Sequence, residues 1–295
     1  MLHHQLPKGP VVLALALSVS VGATVSRAAE PVTAAVVRSL GTGLKSGMWP
    51  QLNAGWNQYG STPVAIDYTS LAINPITPQA LASTDADVLI ISLGFEYDDS
   101  EAQAITDYVT AGHGLIVTYS TFRNIDNATL RNSDLMHLVG LQDTLKLGTS
   151  FLPVPIEYNF LATNHPLVAG LGSTYETGVP FMMFPSSPSH WDLTTGTLLA
   201  HAAPEYTDSF GNQVIGNGAI IANENQAFRS VYFSHYIEDT TAGTNQQDLQ
   251  VFYNTILWTG SVPEPGTLML IGCGFGGLRV IHGHGALARR VRCTA

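Results

Sequence analysis

The chain has 295 residues, with 12 Lys/Arg against 22 Asp/Glu, and both of its cysteines, Cys273 and Cys293, lie close to the C-terminus. The segment from Ala29 to Gly260 therefore has no cysteine, which excludes a disulfide scaffold, a cysteine metal site and a cysteine nucleophile there. In that segment six basic residues stand against 21 acidic ones, a net charge of −15, and such a surface repels phosphate backbones, so nucleic acid is excluded as a partner.

The first residues fall into three zones. Met1 to Pro10 is polar and carries Lys8. Val11 to Val21 is an uncharged apolar run, and the small residues of GATVSRAA follow. This is the order of a secretory signal peptide, with Ser26 and Ala28 at −3 and −1 of a cut after Ala28. The run is shorter than the ~20 apolar residues that span a bilayer. The expected organisation is a signal peptide over 1–28, one domain over 29–260 and a tail over 261–295.

Within the domain, Ala34–Val37 reads as a strand and Leu44–Tyr59 as a helix, with Trp49, Leu52 and Trp56 at helical spacing. Pro63–Tyr68 reads as a second strand, and Thr77-Pro78 opens a short helix. Asp87–Ser92 is apolar on consecutive residues, as a strand covered on both faces must be. Asp98 or Ser100 caps the next helix, which buries Ala102, Ile105 and Val109 and stops at Gly112. Leu115–Tyr119 is another fully apolar strand, so the unit is a βαβ crossover. Leu130–Val139 is predicted as a helix and Phe151–Pro188 as irregular, proline-rich chain. Leu198–Ala202 is a strand, Gly218–Ala222 and Ser230–Ser234 form a hairpin, and Leu249–Leu257 marks an amphipathic closing helix. The predicted class is α/β: a mostly parallel, flavodoxin-like central sheet flanked by helices, with a C-terminal β-hairpin.

The run from Asp87 to Tyr119, with Tyr108-Val109, Gly112 and Gly114, resembles the class I glutamine-amidotransferase-like fold, in its trehalose-utilisation-protein-like branch. Asn164–Leu171 and Val231–His235 carry the same resemblance further along the chain. The amidotransferase cysteine would fall on the turn after Leu115–Tyr119. Ser120-Thr121-Phe122 stands there instead, which excludes glutamine hydrolysis by a thiolate.

Ligands in open parallel sheets sit beyond the strand C-termini. That rule makes Glu96, Ser120 and His235 the candidate catalytic residues and Tyr97, Thr121 and Arg123 the candidate ligand-binding ones. Each has a structural alternative. Ser120 and Thr121 can simply turn the chain, and Arg123 can bridge to Glu96 or Asp126 instead of receiving a uronate. His165 is either a site imidazole or a loop residue. Asp98, Asp99 and Glu101 offer oxygen to calcium, but acids at a helix start also answer the helix dipole. No metal and no cofactor is called for. Trp49, Trp56, Tyr59, Tyr97, Trp191 and Tyr236 can stack on sugars or fill a core.

The tail has its own pattern. Val262-Pro263-Glu264-Pro265 is a stiff, extended box, Thr267–Leu278 is apolar and glycine-rich, and Arg279, Arg289, Arg290 and Arg292 follow. It resembles the PEP-CTERM sorting signals of Gram-negative bacteria, with Pro263, Glu264, Pro265, Arg289 and Arg290 as the sorting residues. Arg279, His282 and His284 interrupt the apolar stretch. The resemblance implies an exported protein held transiently in the inner membrane by its tail. An exosortase-type enzyme then cuts it, and it goes on to the envelope or the extracellular matrix beside exopolysaccharide. Two functions stay open: a non-catalytic, carbohydrate-binding envelope protein, and an extracellular carbohydrate-active hydrolase using a cleft at the strand C-termini.

Overall fold

A computed structural model describes residues 30–37, 48–55, 59–71, 75–91, 95–122, 131–142, 147–151, 156–177, 181–185, 193–203, 206–207, 213–214, 218–235, 237 and 245–261. The predicted signal peptide, the tail beyond Ser261, Arg123, Trp56, Trp191 and Tyr236 lie outside the described residues.

Consecutive apolar residues build the centre of the sheet. Strands β1 (Val32–Val37), β2 (Val64–Leu71), β3 (Val88–Ile91) and β4 (Gly114–Thr118) are all parallel, and every residue of β3 and β4 is buried. Alternation divides their side chains. Val88 and Ile90 join one apolar cluster, Leu89 and Ile91 the other. Each cluster needs a helical cover. Helices α1 (Met48–Gly55) and α4 (Gln246–Gly260) supply the first, while α2 (Pro78–Ala82), α3 (Asp99–Thr110) and a 3-10 segment, Ser133–Val139, supply the second.

The sheet has nine strands, in the order β2-β1-β3-β4-β13-β12-β9-β6-β7, where β6 is Ile156–Phe160, β7 Thr174–Thr177, β9 Thr197–Ala203, β12 Gly218–Glu224 and β13 Arg229–Phe233. The first five run parallel, in the flavodoxin-like arrangement that the sequence predicts. The C-terminal hairpin is β12–β13, with Val231 opposite Ala222. Its strand β13 lies parallel to β4, and beyond it β12, β9, β6 and β7 pair antiparallel. Two small pairs stand apart: β5 (Leu147–Phe151) with β8 (Phe181–Pro185), and β10 (Tyr206–Thr207) with β11 (Gln213–Val214).

Two sequence expectations need correction. The predicted helix over 130–139 is a 3-10 segment over Ser133–Val139, entered through Asn132 at φ 51° and left through Gly140 at φ 74°. Left-handed residues at both ends keep an α-helix from extending. The stretch 151–188 contains β6, β7 and β8. Strand β6 pairs with β7 and β9, and β8 with β5, a gain in pairing that outweighs the breaking tendency of the local prolines.

The start of α3 carries a full capping box. Asp98 Oδ1 accepts from the Glu101 N–H at 2.8 Å, and the Asp98 N–H donates to Glu101 Oε2 at 3.3 Å. The other Glu101 oxygen accepts from Ile76 N–H at 3.0 Å, which ties α3 to the chain entering α2. At the free edge of β2, the Asn53 side chain accepts from Ile66 N–H at 2.8 Å and donates to Ile66 O at 3.0 Å. It takes the place of a strand partner and blunts the edge.

The last turn of α4 touches the sheet backbone. A Cβ at Gly114 would lie 2.6 Å from Thr259 O, so only glycine fits the start of β4. Gly114→Ala is expected to destabilise the protein by about 1–3 kcal/mol in urea unfolding. Gly172→Ala, whose nearest foreign atom is 3.8 Å away, should change stability little. Equal effects from the two substitutions would contradict this packing.

Candidate functional site

Three strands deliver the predicted site residues to the end of the sheet where the parallel strands terminate. Glu96 and Tyr97 follow β3, Ser120 and Thr121 follow β4, and His235 follows β13. Glu96 is exposed and shares a shallow surface depression with Asp98, Asp99 and Ser100. Tyr97 is buried in the cluster on the α3 side. Thr121 is buried, and its Oγ1 donates to Thr118 O at 2.8 Å within the 3-10 turn Tyr119–Phe122. Ser120 lies in that same turn, and its side chain is outside the described set.

Sequence reasoning missed the residue that holds these loops together. The Asn132 side chain donates to Phe95 O and to Thr121 O, each at 2.7 Å, and accepts from Tyr97 N–H at 2.9 Å. One amide thus fixes the exits of β3 and β4. The asparagine itself was the available signal, because its left-handed backbone is one that asparagine tolerates better than most residues.

His235 belongs to the other face. It is 0 % exposed and sits among Tyr158, Tyr175 and Phe233, with ring centroids 5.2–6.3 Å away. Its Nε2 and the Tyr175 hydroxyl share a hydrogen bond of 3.0 Å, and its Nδ1 finds no partner among the described residues. Burial pushes its pKa down to about 3, so the ring is neutral. The Tyr175 hydroxyl is pushed well up by burial, with Asp248 and Tyr158 adding to the effect. The structure therefore brings Tyr97 and Thr121 together through Asn132 and leaves His235 apart from them, enclosed in an aromatic core.

The calcium alternative fares no better. Asp98 and Glu101 spend their oxygens on the α3 cap, Ile76 and the Ser100 hydroxyl. Among the described residues, no group of three or more His, Cys, Asp or Glu is placed to hold a metal. Trp49 is core, packed edge-on to Phe252 at 5.3 Å.

His165 sits at the opposite end of the sheet. Its Nδ1 accepts from Leu167 N–H at 3.2 Å and caps the short turn Pro166–Val168, and its ring stands edge-on to Trp258 at 4.9 Å. Burial lowers its pKa and nearby Arg229 adds to that, against an opposing pull from Glu224. The capped nitrogen is an acceptor, so Nε2 carries the proton.

The architecture is that of a flavodoxin-like α/β domain with an antiparallel extension. No family model matches the chain, and no curated protein matches it. Among solved structures, a ThuA-like protein of Bacteroides uniformis superposes with a TM-score of 0.55 at 13% identity, over 81% of this chain and 95% of that one. A ThuA-like protein of Parabacteroides merdae gives 0.52 at 11% identity, over 80% and 92%. These likenesses establish the fold, in agreement with the resemblance carried by Asp87–Tyr119.

The buried His235 has a consequence for stability. Its folded pKa lies below the ordinary 6.5, so its contribution is fully present above pH 6.5 and is lost as pH falls toward 3. The whole effect is roughly 3–5 kcal/mol. His235→Gln, which removes the titrating ring, should flatten the urea-stability profile between pH 6.5 and 4 relative to wild type. Parallel profiles would show that the imidazole is hydrated in the native protein.

Proposed function

We propose that this chain is an exported cell-envelope or extracellular-matrix protein. In this reading it is matured through its PEP-CTERM-type tail by an exosortase-type enzyme, and its domain binds extracellular polysaccharide without turning it over. The observation that carries the proposal is the pairing of the two end signals around one domain. A signal-peptide pattern precedes β1, and the Pro263-Glu264-Pro265 box begins two residues after Ser261, the residue at which α4 is capped. The cut would therefore fall just outside the folded domain. The apolar stretch would insert while Arg289 and Arg290 stay on the cytoplasmic side. Among the described residues no helix is long and apolar enough to cross a membrane.

Two features support binding without catalysis. The domain has no cysteine, and its most suitably placed base, His235, is sealed from solvent and committed to Tyr175. The trehalose-utilisation resemblance and the ThuA-like neighbours lend the ligand class, and the sorting-signal resemblance lends the setting. Protein recovered from the native host should have an intact mass that corresponds to a chain starting near Ala29 and ending near the Pro-Glu-Pro box. Recovery of the full-length chain from the cytoplasm would contradict the proposal.

A further inference from the structure

The largely apolar concavity of this domain lies away from the strand C-termini. A depression of about 630 Å³ opens where the parallel strands begin, between the start of β1, the end of α4 and the turn around Pro166. Val32, Pro166, Ala169 and Leu257 line its apolar part, and His165, Glu224 and Arg229 stand among its polar residues. A mainly apolar hollow with a few convergent polar groups has the composition of a small-ligand site.

Its polar residues divide into committed and available groups. Arg229 is fully engaged. It pairs with Glu224 Oε1 at 2.6 and 2.8 Å, donates to Trp258 O at 3.3 Å and Ser261 Oγ at 3.1 Å, and lies 5.2 Å from the Trp258 ring centroid. The Asn254 amide donates to Leu167 O and Ala169 O, which holds the turn in place. Two groups remain. The one hydrogen bond of the His165 ring among the described residues is made by Nδ1, which leaves Nε2–H as a donor. Glu224 meets Arg229 through Oε1 alone, and its side chain is 56% exposed, so Oε2 can still accept.

We infer that this depression binds a neutral saccharide. The C–H face of a pyranose covers the apolar floor, His165 Nε2–H donates to one hydroxyl, and Glu224 Oε2 accepts from another. The charge balance selects against acidic sugars. The Arg229–Glu224 pair leaves no net positive charge to receive a uronate, and the domain as a whole carries a net charge of −15. A purely apolar ligand would leave the imidazole N–H unsatisfied on burial. The site rests on the carbohydrate-binding reading above and assigns it a location.

The test is calorimetric titration of the mature protein with neutral oligosaccharides released from the host's extracellular polysaccharide, with uronate-containing ones alongside. Ala169→Leu fills the floor of the depression and removes no hydrogen bond, because Ala169 contributes only backbone atoms to the turn. It should weaken neutral-sugar binding at least about tenfold at an unchanged melting temperature; His165→Ala should weaken it similarly through loss of its donor, with a lowered melting temperature because the turn cap goes with it. Uronate-containing oligosaccharides should bind more weakly than neutral ones. If wild type and both variants bind alike, the site is overturned and the carbohydrate reading survives. If wild type binds no oligosaccharide at all, both fall.

Discussion

Helix α4 lies so close to the parallel strands that the Thr259 carbonyl occupies the space a side chain at Gly114 would need. The last turn, at Gly260, is pressed against Val32 and Val88 in the same way. Such contact is possible because α4 presents an almost wholly buried surface, and its buried threonines hydrogen-bond back into their own helix. Thr255 donates to Val251 O and Thr259 to Thr255 O, each at 2.8 Å. This satisfies polar groups that would otherwise destabilise the core. Once α4 is seated, β1, β3, β4 and β13 are covered on one face. Their alternate residues are then left to α2, α3 and the Ser133–Val139 turn on the other.

The two ends of the sheet differ in how their described polar groups are used. Among the described residues at the strand C-termini, Asn132 binds three backbone groups, Asp98 and Glu101 cap α3, and His235 Nε2 is held by Tyr175 under aromatic rings. At the strand N-termini the end of α4, the Pro166 turn and the β12–β13 hairpin meet without filling the space between them. An imidazole whose cap occupies one nitrogen and a carboxylate whose ion pair occupies one oxygen both keep an atom for a ligand.

Much of the fold was legible in the sequence because its central elements depend on local pattern. The apolar runs of β3 and β4, the Asp98–Glu101 box and the glycines after α3 each state their role within a few residues. Of the antiparallel extension, β9 and the β12–β13 hairpin were legible, and the outer strands β6 and β7 were not. Strands β6 and β7 exist through pairing with β9 and each other, and prolines surround them, so their local signal reads as loop. The position of His235 was legible as a strand end, but its burial was not. Tyr158 and Tyr175, which enclose it, come from those same unpredicted strands, β6 and β7. His165 was recognised as a residue before proline, yet its meeting with Trp258, Arg229 and Glu224 depends on contacts 59 to 93 positions away along the chain.

The proposal to be tested is that this domain meets its ligand at the strand N-termini, in the depression beside His165 and Glu224. The most direct measurement is a map of backbone and imidazole chemical shifts in the mature protein during titration with a neutral oligosaccharide from the host polysaccharide. The account predicts that the shifts gather at His165, Ala169, Glu224, Trp258 and Val32, with Tyr175 and His235 unmoved. Shifts centred on Glu96, Thr121 and His235 would contradict it.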